Sequence, residues 1–252
     1  MKMKNVLYKG EVTLDFNKYK HVYTVDGEKI TSVTTVLGVI NKPALVSWAA
    51  RMATEHVIAC IDPGVAYDEV QLDAIFAGAK KDHWQKKTDA GNIGTLVHNW
   101  IEDYINDENP GMPVNELLND AVSNFLDWVK KNDVHFLKAE EPVFSRKYEY
   151  AGIIDFICTI DGKLYIGDIK TSKGIYPEYL LQTAAYRYAR AEEYPEEEYV
   201  GQVIVRVGKD GSFETAVVRD DDLYKEMVVA FLSAQRLQKT LKKLDKFKPE
   251  TE

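Results

Sequence analysis

The chain has 252 residues, 45% of them hydrophobic and 29% charged, with a mean hydropathy of −0.32, which excludes a disordered or fibrous chain. It is long enough to bury a core without staples, and its two cysteines, Cys60 and Cys158, build neither a disulfide framework nor a four-cysteine metal site. The net charge of −8 argues against coating nucleic acid non-specifically, but not against a nucleic-acid enzyme, whose metal site consumes carboxylates.

Both cysteines sit in apolar runs and are expected as buried free thiols, which suits a reducing, cytoplasmic compartment. No apolar run approaches the roughly 18–20 residues of a membrane span. Met1-Lys2-Met3-Lys4 leads into no apolar stretch and does not read as a signal peptide.

In chain order, residues 6–25 read as short strands, with alternation in Glu11–Phe16 and His21–Val25 and a turn at Asp26-Gly27. Thr31 or Ser32 caps a helix over Val33 to Ile40. Residues 44–60 carry helical periodicity, and Pro63-Gly64 ends it. Residues 67–89 read as a polar helix. Ala90-Gly91-Asn92-Ile93-Gly94 reads as a break, with Thr95 capping a new helix that stops at Asn109-Pro110-Gly111. Residues 115–131 form an amphipathic helix.

The period then changes. Val134–Ser145, Gly152–Ile160 and Lys163–Lys170 read as strands, with a hairpin turn at Asp161-Gly162. Residues 177–192 are helical, Tyr199–Val207 and Phe213–Val218 are strands, and residues 220–246 form a lysine-rich closing helix. The class is α/β or α+β with a mixed central sheet and a mostly helical N-terminal half. The expected division is 1–131 and 132–252, joined as one compact unit.

Chemistry concentrates between Glu140 and Tyr186. Asp155 lies inside the apolar strand Gly152–Ile157, where an unpaired charge is expensive. Asp168 and Lys170 lie two apart on the next strand and so share a face, and the tight hairpin lets Asp155 meet Asp168. Two carboxylates and an ammonium on one sheet suit a hard divalent cation, Mg²⁺ or Mn²⁺. Such an ion polarises a phosphodiester and acidifies a water, which the lysine orients or whose developing charge it stabilises. A strand-end aspartate beside a surface ion pair is the bland alternative.

This arrangement resembles the PD-(D/E)xK nuclease superfamily in its RecB-like branch, with a restriction-endonuclease-like core. The Gly-x-x-Asp strand is matched by Gly152–Asp155, the Asp-x-Lys strand by Asp168–Lys170 and the Gln-x-x-x-Tyr helix by Gln182–Tyr186. The upstream helical histidine is matched by His98 and the acidic residue of the preceding strand by Glu140, or else Glu141. Ser32-Val33-Thr34 and Trp48 to Met52 extend the resemblance toward the mitochondrial genome maintenance exonucleases and their phage-encoded relatives, over residues 30–190.

The resemblance implies metal-dependent hydrolysis of DNA from an end, in phage or bacterial recombination, repair or replication. It implies a metal held by His98, Asp155, Asp168 and the carbonyl of Ile169, assisted by Glu140. Lys170 would activate the water, and Gln182 and Tyr186 would position the strand. Relatives that carry an iron–sulfur cluster use four cysteines, so none is expected here. Lys80, Lys81, Lys86 and Lys87, with Trp84 among them, suit a DNA backbone or a solvated helix face equally. The expected partner is linear DNA, single-stranded by preference, with a recombination or single-strand-binding protein as a further one. An endonuclease on the same core and a catalytically silent DNA-binding fold stay open as alternatives.

Overall fold

The computed structural model describes residues 2–40, 43–113 and 115–247; the side chains of residues 2, 43, 44, 81–93 and 117 are outside the description. The first forty residues form four strands: β1 (Lys2–Leu7), β2 (Val12–Asn17), β3 (Val22–Val25) and β4 (Glu28–Ser32). The expected Asp26-Gly27 turn joins β3 to β4, with φ of 50° and 91°. These are the left-handed angles that Asp-Gly tolerates best in a two-residue hairpin. Ser32, not Thr31, caps α1 (Val33–Leu37): its hydroxyl accepts from the Thr35 N–H at 3.1 Å.

Two long helices follow, α2 (Pro43–Cys60) and α3 (Glu69–Ile105). The expected break at residues 90–94 does not occur, because the backbone stays helical through Gly91 and Gly94. A glycine costs a helix interior about 1 kcal/mol, which weakens it without ending it. α4 (Glu116–Lys131) comes next, capped by Asn115.

The remaining elements are β5 (Val134–Ser145), β6 (Tyr150–Ile160), β7 (Lys163–Lys170), α5 (Pro177–Glu193), β8 (Tyr199–Val207), β9 (Phe213–Val218) and α6 (Asp221–Leu244). Among the described residues, nine strands join one mixed sheet in the order β1-β2-β3-β4-β6-β7-β8-β9, with β5 paired to the other edge of β6. The β4–β6 and β7–β8 pairs are parallel and the others antiparallel. The expected mixed α/β class holds. The expected boundary at residue 131 does not. One compact unit is Met1–Ile40 with Val97–Glu252, and a second is Asn41–Leu96, because the N-terminal strands complete the same sheet that β5–β9 build.

The α5 side of the sheet buries Val143, Tyr150, Ile154, Ile157 and Ile166 against Ala185, Tyr186 and Phe231. Leu14, Phe16, Tyr23, Phe144 and Ala151 form a separate core under the N-terminal strands. Each fully buried side chain of this size contributes roughly 1.5–3 kcal/mol. Cys158 is buried as expected. Cys60 is exposed instead: it falls on the last turn of α2, 3.5 Å from His56 Nε2. Among the described residues, no helix is long and apolar enough to cross a membrane.

Candidate metal centre

One edge of β6 is paired with β5 along its length except at Asp155. Its other edge is shared: β7 pairs with Phe156–Ile160 and β4 with Tyr150 and Ala151. The ladder on that edge is therefore interrupted over residues 152–155, and Asp155 lies at the interruption. Its Oδ2 accepts the Ile169 backbone N–H at 2.7 Å. A buried amide left without a ladder partner needs such an acceptor.

The pleat slips at the same place. Ile154 and Ile157 pack on the α5 side. Phe156 meets Phe136 edge-on at 5.3 Å, and Phe136 stacks on Phe125 of α4 at 5.9 Å. A regular strand would put residues 154 and 156 on one face. Across the ladder, the pairs Ala139↔Phe156 and Glu141↔Ile154 flank Glu140, which stands opposite Asp155 with φ of 50°. A non-glycine residue in this left-handed region costs about 1–2 kcal/mol. This backbone turn settles the choice between neighbouring acids. Glu140 turns toward His98, with 3.8 Å between its Oε1 and Nδ1. Glu141 instead pairs with the buried Arg190 at 2.9 Å.

His98, in the last part of α3, completes the cluster: its Nε2–H donates to Asp155 Oδ2 at 2.9 Å. One ligand atom each from His98, Glu140 and Asp155 lie within 4.8 Å of one another. An ion about 2.0–2.2 Å from each donor needs donor atoms roughly 3–4 Å apart. Two carboxylates and an imidazole are the donor types that suit a Mg²⁺ or Mn²⁺ ion, the imidazole favouring Mn²⁺, and an ion there would draw these donors inward from their 4.8 Å limit.

Asp168 is fully buried and lies beside this group rather than in it. Lys170 Nζ stands 2.5 Å from its Oδ2, and Gln182 Nε2 donates to its Oδ1 at 3.0 Å. The same Gln182 nitrogen reaches the Tyr186 hydroxyl at 2.9 Å. The edge of the Tyr186 ring packs against Gly152, where a Cβ would overlap it. The expected Gln–Tyr pair thus holds the Asp168–Lys170 pair. From Ile169 the described contact is its amide to Asp155, not its carbonyl.

The electrostatics follow from burial and crowding. Burial opposes the His98 cation, but the hydrogen bond and charge of Asp155, with the charges of Glu140 and Asp168, lift the imidazole to about 9. Burial and then the charge of Asp155 raise the Glu140 carboxyl to about 7. Burial raises Asp168 to about 7, against the pull of Lys170. Burial also disfavours charge on Asp155, yet the hydrogen bond and charge of His98, helped by Lys170 and the Ile169 amide, hold its carboxyl below the usual range. Burial works against the Lys170 ammonium as well, and the charges of Asp168 and Asp155 more than offset it, so it titrates above its ordinary value.

Of the expected basic cluster, Lys80 is exposed on α3. The side chains of Lys81, Lys86 and Lys87, like that of Trp84, lie outside the described residues. Two further residues act on the cluster without having been singled out from sequence. The charge of Lys18 lowers the Glu140 carboxyl, and the Tyr23 phenol is raised by burial and by the charges of Glu140 and Asp155. The only sequence signal for them is a lysine–aromatic alternation between two short strands.

No protein-family model matches the chain, and no curated protein matches it. Among solved structures, one described as the crystal structure of SSO0001 aligns over 74% of this chain and 84% of its own, at 12% identity and a TM-score of 0.30. A superposition that loose carries no argument, and the site stands on its own geometry.

Proposed function

We propose that the protein is a Mg²⁺- or Mn²⁺-dependent deoxyribonuclease that degrades linear DNA from an end, with a preference for single strands. The reading rests on one observation. His98, Glu140 and Asp155 converge within 4.8 Å, beside a buried Asp168–Lys170 pair that Gln182 holds. The order of the Gly152–Asp155, Asp168–Lys170 and Gln182–Tyr186 motifs along the chain supports it.

When bound, the metal would supply polarisation of the phosphodiester and acidification of a water. His98, Glu140 and Asp155 would hold it. Lys170 keeps its proton, because the charges of Asp168 and Asp155 favour the ammonium over burial's opposition. It therefore serves as a fixed cation facing the negative charge that grows on phosphate, and not as the base that removes a proton. Gln182 and Tyr186 keep Asp168, and through it Lys170, in one orientation. An enzyme of this kind suits recombination, repair or replication of a phage or bacterial genome, in the cytoplasm of a cell or infected host, alongside a single-strand-binding or recombination protein.

The test uses end-labelled linear single- and double-stranded DNA and a covalently closed single-stranded circle, each with Mg²⁺, with Mn²⁺, with Ca²⁺ and in EDTA. Linear strands are expected to shorten with Mg²⁺ or Mn²⁺ and to survive EDTA, with little support from Ca²⁺, and the circle is expected to resist. Lys170→Ala should lower the rate by at least about 100-fold with DNA affinity kept within a few-fold. No hydrolysis with either metal would overturn the reading. Rapid cutting of the circle would make the protein an endonuclease.

A further inference from the structure

Asn17 pairs with Val22, so Lys18-Tyr19-Lys20-His21 forms the connection between β2 and β3. Asn17 Oδ1 accepts the backbone N–H groups of Tyr19 and Lys20, each at 3.1 Å, which fixes the path of the turn. Behind the turn, Phe16 stacks on Tyr23 at 4.4 Å and meets His21 edge-on at 5.6 Å. The base of the hairpin is thus anchored in the core, where Phe16 and Tyr23 are buried.

The tip presents the opposite character. Tyr19 is 87% exposed, more than any other large hydrophobic side chain among the described residues. Packing does not account for a ring held that far out, and Lys18 and Lys20 on either side are exposed too. The turn is also next to the chemistry. Tyr23 pairs with Ile30, and β4 parts from β6 after Ser32↔Ala151, so the β2–β3 turn lies at the end of these strands toward which β6 runs on to Asp155.

An exposed ring between two ammonium groups suits a nucleic-acid strand whose base stacks on the ring while its phosphates meet the lysines. Bases in a duplex are already stacked on one another, so the strand has to be single where it meets the ring. We propose that this turn is the platform on which a single DNA strand enters the site: Tyr19 stacks an unpaired base, and Lys18 and Lys20 hold the flanking phosphates ahead of the His98–Glu140–Asp155 cluster. The proposal rests on the nuclease reading and names where its substrate is gripped.

The test is fluorescence anisotropy of a labelled single strand of about 20 nucleotides, several site sizes long, with Mn²⁺ present. The full chain carrying Lys170→Ala serves as parent, so that bound DNA is not cut. Adding Tyr19→Ala should weaken binding roughly tenfold, the scale of one lost base–aromatic stack. Adding Lys18→Glu and Lys20→Glu together should weaken it at least about tenfold and flatten its dependence on salt. Lys239→Glu with Lys242→Glu on α6 changes net charge equally, and the parent affinity should hold within about twofold if contact and not global charge decides. Unchanged thermal melting of Tyr19→Ala would confirm that the fold is intact. Turn variants that bind like the parent, or an equal loss in the α6 control, would overturn the platform and leave the nuclease reading standing. A parent that binds no DNA, together with a wild-type chain that cuts none, would overturn both.

Discussion

At the scale of single residues, a metal at the proposed centre would compete with protons for the same atoms. The His98 imidazole is raised to about 9 and the Glu140 carboxyl to about 7, so near neutral pH both groups hold protons that a ligand site would have to give up. A divalent ion has to displace those protons. Mn²⁺ affinity should therefore rise steadily from pH 6 to about pH 9, with proton release visible by calorimetry in buffers of different ionisation heat. An affinity flat across that range would mean that His98 and Glu140 are not ligands. The metal-free protein should run the other way. Both folded values lie above the unfolded ones of about 6.5 for histidine and 4.3 for glutamate. The Glu140 contribution is thus present below about pH 4 and lost as pH rises through 7, and the His98 contribution is present below about pH 6.5 and lost through 9. Melting of the apo protein between pH 7 and 9 should decline, and less so in His98→Gln. Glu140 adds a second contrast through its φ of 50°. Glu140→Gly relieves a strained backbone, so it should melt higher than Glu140→Ala by about 1 kcal/mol, while both lose Mn²⁺ affinity alike.

At the scale of elements, one glycine lets the sheet and α5 close on each other at the site, and a second leaves room for a ring between paired strands within the sheet. A Cβ on Gly152 would overlap Tyr186, and one on Gly167 would overlap Phe156. Gly152→Ala should cost about 1–3 kcal/mol by overpacking, and by displacing Tyr186 and Gln182 it should also loosen Lys170. Chemical denaturation measures the first effect and a fall in cleavage rate the second; wild-type stability and rate would show that Tyr186 simply moves aside. Much at this scale was legible in the sequence. β5, β7, β8 and β9 begin and end where alternation and the Asp-Gly turns place them. Asp155, Asp168 and Lys170 were legible because a strand–turn–strand pattern fixes their register. Other features were not. α3 runs through two glycines that read as a break. β4 is short and polar, and its parallel pairing to β6 depends on a segment far along the chain, which no local period encodes. Glu140 could not be separated from Glu141 by alternation, because the backbone turn that selects it is one that side chains other than glycine disfavour.

At the scale of the whole molecule, two electrostatic effects on DNA binding have opposite signs. The net charge of −8 repels a polyanion, and added salt would relieve that repulsion beyond a Debye length of about 8–10 Å. Local lysine–phosphate contacts release counterions, and added salt weakens them with a slope of roughly −0.7 per phosphate on a single strand. Contacts made at Lys18 and Lys20 fall within the screening length, so the second effect should win. Affinity should drop monotonically between about 50 and 200 mM salt, as followed by anisotropy. Affinity that rises with salt would place the strand away from any basic contact.

The interruption in the β6 ladder also has a consequence for synthesis. The segments that frame it come from well-separated parts of the chain: Ser32 pairs with Ala151, His98 arrives on α3, and Gln182 arrives on α5. β1 to β4 can pair among themselves as soon as they leave the ribosome, but β4 finds β6 only after more than a hundred further residues have been made. Closing loops of that length comes late and slowly. Partial chains, whether nascent or prematurely ended, therefore contain no assembled centre. Any activity that depends on this centre therefore reaches the cell only in molecules whose translation has passed α5.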